Sequence, residues 1–72
     1  MRKNYLREIL AENIKAYRMA GGLSQEGLAD ECGLHRTYIG QVERGEKSIG
    51  VENLFRIAVA LHVKAAVLLK GL

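Results

Sequence analysis

Apolar positions fall along the chain in stripes with a helical period. From about Asn4 to Ala20, Leu6, Leu10, Ile14 and Tyr17 lie four, four and three residues apart, with Ile9 widening the stripe. Gly21-Gly22 stops this first segment. A second starts behind Ser24, a good N-cap, and runs to Cys32, with Leu28, Ala29 and Cys32 on one side and Gly33 at its end. The third runs from about His35 to Arg44, with Ile39 and Val42 inward and Gly45 as its stop. In the fourth, Val51 to Leu61, a core stripe of Val51, Leu54, Ala58 and Leu61 is joined by Ile57. A last, mostly apolar segment runs from Lys64 to Leu69 or beyond. Strand alternation is absent. The pattern predicts an all-α, compact five-helix domain spanning residues 1–72, its consecutive helices packed on one another by short connections.

Segments two and three are separated only by Gly33 and Leu34. Two helices joined so tightly must cross steeply, through a residue at positive φ that glycine supplies without steric penalty. Ala29, four residues earlier, is small enough to admit a close neighbour. Ala29, Gly33, Ile39 and Val42 together specify a helix-turn-helix. The outward face of the third segment then carries Thr37, Gln41 and Arg44, with Arg36 and Gly40 in the adjacent row and no acid in the stripe. Arg and Gln read guanine and adenine edges bidentately in the major groove of DNA. Gln25, at the start of the second segment, is placed to meet a phosphate.

Composition narrows the classes. There are 11 Lys+Arg against 8 Asp+Glu, a net charge of +3, which permits a nucleic-acid partner without requiring one. No apolar run approaches the ~20 residues of a membrane helix. The N-terminus lacks the apolar core of a signal peptide, so a cytoplasmic protein is expected. The single cysteine, Cys32, excludes an internal disulfide and is expected as a small buried hydrophobe. Cys32, His35 and His62 are too few for a structural zinc, so neither metal nor cofactor is expected. No nucleophile–base pair, carboxylate dyad or phosphate loop is present, and no small-molecule ligand is evident; an enzyme is not expected. A chain this short buries only about 60% of its unfolded surface, which favours support from a second copy.

The stretch Leu23-Ser-Gln-Glu-Gly-Leu-Ala-Asp-Glu-Cys-Gly33, followed by Leu34-His-Arg-Thr-Tyr-Ile-Gly-Gln-Val-Glu-Arg-Gly45, resembles the phage repressor/Cro-type (XRE-type) helix-turn-helix family. Val51-Glu-Asn-Leu-Phe-Arg-Ile-Ala-Val-Ala-Leu61 resembles its fourth helix, and the likeness covers about residues 6–70. Within the family, this short form is similar to restriction–modification controller proteins and small phage repressors. The resemblance implies a lambda-repressor-like fold. It implies that Arg36, Thr37 and Gln41 read bases, that Ser24, Gln25, Arg44 and Lys47 touch the DNA backbone, and that His35 and Tyr38 touch the backbone or the neighbouring base. Tyr38 could equally cover the edge of the core. The resemblance also implies an Arg18–Glu43 pair locking the first helix to the third. A lone Glu43 beside Arg44 on a DNA-facing helix would repel phosphate, so a partner for it is expected.

Four positions depart from the family pattern. Gly27 stands where an acid usually completes the capping box begun at Ser24, His35 replaces a small polar N-cap, Gly50 replaces Ser or Thr, and His62 takes the place of a helix-ending Gly. The C-terminal stretch, about residues 63–72, is too apolar for a solvated end. Val67, Leu68, Leu69 and Leu72 are therefore expected at a two-fold dimer interface, the alternative being a C-terminal helix that closes the chain's own core, with different residues able to serve each. The expected function is a homodimeric regulator that binds a (pseudo)palindromic site in double-stranded DNA. The alternative is an antitoxin or other protein-interaction module whose C-terminal helix docks a different protein.

Overall fold

The structure, a computed structural model, describes residues 5–71. Among these the chain forms α1 (Tyr5–Ala20), α2 (Gln25–Cys32), α3 (Arg36–Glu43), α4 (Val51–Leu61) and α5 (Ala65–Leu68). α1 lies against α3, α4 and α5; α2 lies against α3 and α4; α5 closes on α4. Ile14, Leu28, Ile39, Ile57 and Leu68 are fully enclosed, one from each helix, so every element contributes to a single core. The radius of gyration, 10.9 Å, is that of a compact chain of this length.

The first four helices end alike. Beyond each, a left-handed residue (Gly22, Gly33, Gly45 or His62) turns the chain. The next amide, of Leu23, Leu34, Glu46 and Val63 in turn, donates back to Arg18, Ala29, Gln41 and Ala58. This arrangement satisfies carbonyls that a helix end otherwise leaves bare. At the far end of the chain, Asn13 on α1 does the same work from a distance. Its Nδ2 donates at 2.9 Å to both the Leu68 and Lys70 carbonyls, anchoring the one-turn α5.

Several sequence expectations need correction. The first stripe is rotated: Leu6 and Tyr17 are exposed, and Leu10, Ala11, Ile14 and Arg18 face inward. The neighbours of α1 cover one side of it, and Leu6 and Tyr17 lie off that side. Val51 is 72% exposed, because the fourth stripe begins only at Leu54 and recruits Ala60 instead. The third helix is shorter than expected at both ends, with His35 and Arg44 as caps. Leu68, expected at a dimer interface, is fully buried in the chain's own core and has nothing left to offer a partner. Val67 is half-buried and Leu69 exposed, and Leu72 lies outside the described residues, as do Arg2, Lys3 and Asn4.

Candidate nucleic-acid interface

α2 begins where Ser24, in extended conformation, accepts a hydrogen bond from the Gly27 amide at 2.9 Å. It ends at Gly33, whose φ of 71° lets the chain turn into α3. α3 is capped by His35, whose Nδ1 accepts from the Thr37 amide at 3.1 Å. This resolves the start of the helix and leaves the other ring nitrogen, Nε2, as the outward donor of the neutral ring. Ile39 and Val42 hold α3 in the core, so its opposite face is turned out. Arg36 and Thr37 are exposed on that face and Gln41 is half-buried. A groove between α2 and α3 is lined by Ser24, Gln25, Glu26, Arg36, Thr37, Gly40 and Arg44, with Arg18 at its floor.

The floor is a closed polar network. Arg18 Nε donates to Glu43 Oε2 at 2.7 Å and Nη2 to Oε1 at 3.0 Å, both partners buried. Arg18 Nη1 donates to the Leu23 carbonyl at 2.8 Å, and Gln25 Nε2 donates to Glu43 Oε1 at 3.0 Å. A bidentate arginine–carboxylate pair, with a third donor on the Leu23 carbonyl, avoids the penalty of an uncompensated buried charge. One hydrogen of the Gln25 amide is thus engaged inside the protein, and the second remains for an outside acceptor.

The rim is looser. Arg36 lies 4.0 Å from Glu26, both well exposed. Arg44 grips Glu46 through Nε at 2.9 Å and Nη2 at 3.3 Å, also in the open. Hydrogen bonding to Arg44 holds the Glu46 carboxyl below the usual carboxylate range, and the same bond raises Arg44. Sequence reasoning placed Arg44 on the rim and did not see Glu46, although an acid two residues further on, past the helix-ending Gly45, was the available signal. Tyr38 is half-buried against the core, and its hydroxyl accepts from Asn53 Nδ2 at 3.2 Å, tying α3 to α4. Lys47 is exposed in the loop after α3. Cys32 is buried, and desolvation pushes its thiol up.

Two short helices joined by a left-handed glycine, the second exposing Arg36 and Thr37 beside a half-buried Gln41, define a helix-turn-helix domain. The chain belongs to the helix-turn-helix family of repressor/Cro (XRE) type, whose pattern matches residues 14–68. It is 50% identical over 64 residues to the control protein C.SmaI of Serratia marcescens, across 89% of this chain and 76% of that protein. The crystal structure of the hypothetical transcription factor NHTF from Neisseria superposes with a TM-score of 0.88 at 43% identity, covering 96% of this chain and 79% of that one. The restriction–modification controller protein C.Esp1396I, solved as a tetramer on its natural 35-base-pair operator, superposes with a TM-score of 0.83 at 33% identity, covering 89% of this chain and 84% of that one. Among the described residues no helix is long and apolar enough to cross a membrane.

Proposed function

We propose that this protein is a sequence-specific double-stranded DNA-binding regulator that acts as a homodimer, of the restriction–modification controller kind. The observation that carries this reading is the outward Arg36–Thr37 face of α3, with Gln41 half-buried beside it, backed by the Arg18–Glu43–Gln25 network. On a duplex, Arg36, Thr37 and Gln41 meet base edges. Ser24, the second hydrogen of Gln25, His35 Nε2, Arg44 and Lys47 meet the sugar–phosphate backbone and fix register. Tyr38 contributes chiefly by holding α3 to α4. A relative seated as a tetramer on one operator supports several copies acting together on one duplex.

The copies meet on α4. Phe55 and Val59 are 55% and 71% exposed, on one helical face with Val51. Beside them lie Glu31 and Glu52 and, of opposite sign, Arg56. An apolar stripe edged by both signs is self-complementary across a two-fold axis, Glu52 of one copy facing Arg56 of the other. A docked toxin would need the opposite, a face matched to something else.

Selection of bound duplexes from a random pool tests the reading. The expected product is a two-fold symmetric site whose half-sites are about one helical turn apart, ~34–36 Å. A pool with no enriched sequence sinks it. On the selected site, Arg36→Ala should relax preference at one base pair by roughly 1–3 kcal/mol. Lys47→Ala should weaken all duplexes evenly and lower the salt slope by about one.

A further inference from the structure

The C-terminal end of α3 is built around Arg44. Gly45, at φ 72°, turns the chain, and the Glu46 amide donates to the Gln41 carbonyl at 2.9 Å. The Glu46 carbonyl accepts from Arg7 Nη1 at 3.5 Å. The turn thus fixes the Glu46 backbone, from which its carboxylate reaches the Arg44 guanidinium. Arg44 lies back along α3 over Gly40, where an added Cβ would come within 3.1 Å of Nη1. A glycine inside a helix weakens it, and here its effect is to give the arginine a seat. The seated guanidinium meets both carboxylate oxygens at once, the fork geometry it would otherwise offer to a phosphate. Arg36 has only a single, 4.0 Å approach to Glu26 on the same rim.

We propose that Glu46 is a positioning residue for DNA binding, an internal competitor that parks Arg44 on the protein until a duplex phosphate displaces it. The proposal rests on the DNA-binding reading above. The pair is solvent-exposed and so weak enough to exchange. A phosphate takes over the two hydrogen bonds, the Glu46 carboxylate returns to water, and no other contact need break. The consequence is a lowered affinity for any duplex, which keeps a small basic domain from being held by random DNA.

The test measures binding of the wild-type chain, Glu46→Gln, Arg44→Ala and the double variant to a mixed-sequence duplex and to the selected site, by fluorescence anisotropy at several salt concentrations. Both positions are exposed, and circular dichroism melts verify that each variant folds. Glu46→Gln should tighten binding roughly two- to five-fold on both duplexes and steepen the salt slope by up to about one. In the Arg44→Ala background the same change should have little effect. Equal tightening with and without Arg44 overturns the proposal, since the acid would then merely repel DNA at a distance. No tightening in either background overturns it as well, as does wild-type affinity in Arg44→Ala; in these cases DNA binding itself stands. A wild-type chain that binds no duplex overturns both the proposal and the reading beneath it.

Discussion

His62 holds φ 60°, ψ 38°, a conformation in which the Cβ of an L-residue crowds the backbone. It persists because the Val63 amide reaches the Ala58 carbonyl and so closes α4 over the core. Replacing the side chain by hydrogen keeps that bond and removes the crowding. His62→Gly should therefore stabilise the fold by up to about 1 kcal/mol, partly offset by the greater freedom of glycine in the unfolded chain. That corresponds to a melting temperature roughly 4–8 °C higher for each kcal/mol gained; an unchanged or lower value would mean that the strain is no larger than the unfolded-state freedom glycine adds plus whatever the ring contributes. Cys32 behaves in the opposite sense, a reactive group kept silent. Its burial and raised pKa leave little thiolate at neutral pH, so alkylation should follow global unfolding rather than precede it. Rapid labelling of the native chain at neutral pH would contradict this.

At the scale of helices, the decisive link is Arg18 to Glu43, because it joins α1 to the helix that carries the reading face. Both side chains are almost completely enclosed, so the reference is a buried pair rather than a surface one. Arg18→Met leaves the buried Glu43 carboxylate without its cation, with Gln25 still donating to it, and should cost about 3–5 kcal/mol, most of the margin of a domain this size. Arg18→Met with Glu43→Leu should recover much of it, because no charge is then left unpaired. Urea denaturation of the two variants checks this; a double variant no better than the single one would mean that shape, not charge, was lost. The pair was legible in the sequence through the family likeness and the anomaly of an acid next to Arg44. The helix ends were legible too, since Gly22, Gly33 and Gly45 stand where left-handed turns are needed. Less legible was which side of α1 faces in. Leu6, Tyr17 and Val51 fit a helical period, but periodicity only ranks faces, and the neighbours that choose among them come from elsewhere in the chain. Asn13 and Asn53 carried no signal at all, because their partners, the Leu68 and Lys70 carbonyls and the Tyr38 hydroxyl, are met only in three dimensions.

At the scale of the whole molecule, one surface remains for the fold to account for. Leu68 was expected to face a partner and instead completes the core, so the C-terminal stretch supplies less outward apolar area than its composition suggested. On α4, Val51, Phe55 and Val59 supply such area on one face. A stable pairing buries about 800 Å² per partner, roughly a sixth of this chain's 4750 Å². Phe55 and Val59 lie near the centre of the proposed interface, where a charge has no water to turn to once two copies close. Val59→Glu should leave the fold intact, since the side chain is exposed in the single chain, and should bring the mass seen in sedimentation down from twice 8.0 kDa to that of one chain. On DNA the two half-sites would then be bound independently. Affinity for a full operator should fall by the factor that linkage supplies, on the order of 10²–10⁴, while affinity for an isolated half-site stays unchanged. A variant that remained dimeric would move the two-fold away from α4, toward Val67 and Leu69. A variant that lost affinity for the half-site as well would show that α4 supports the reading face itself, through Asn53 and Tyr38, rather than the pairing of copies.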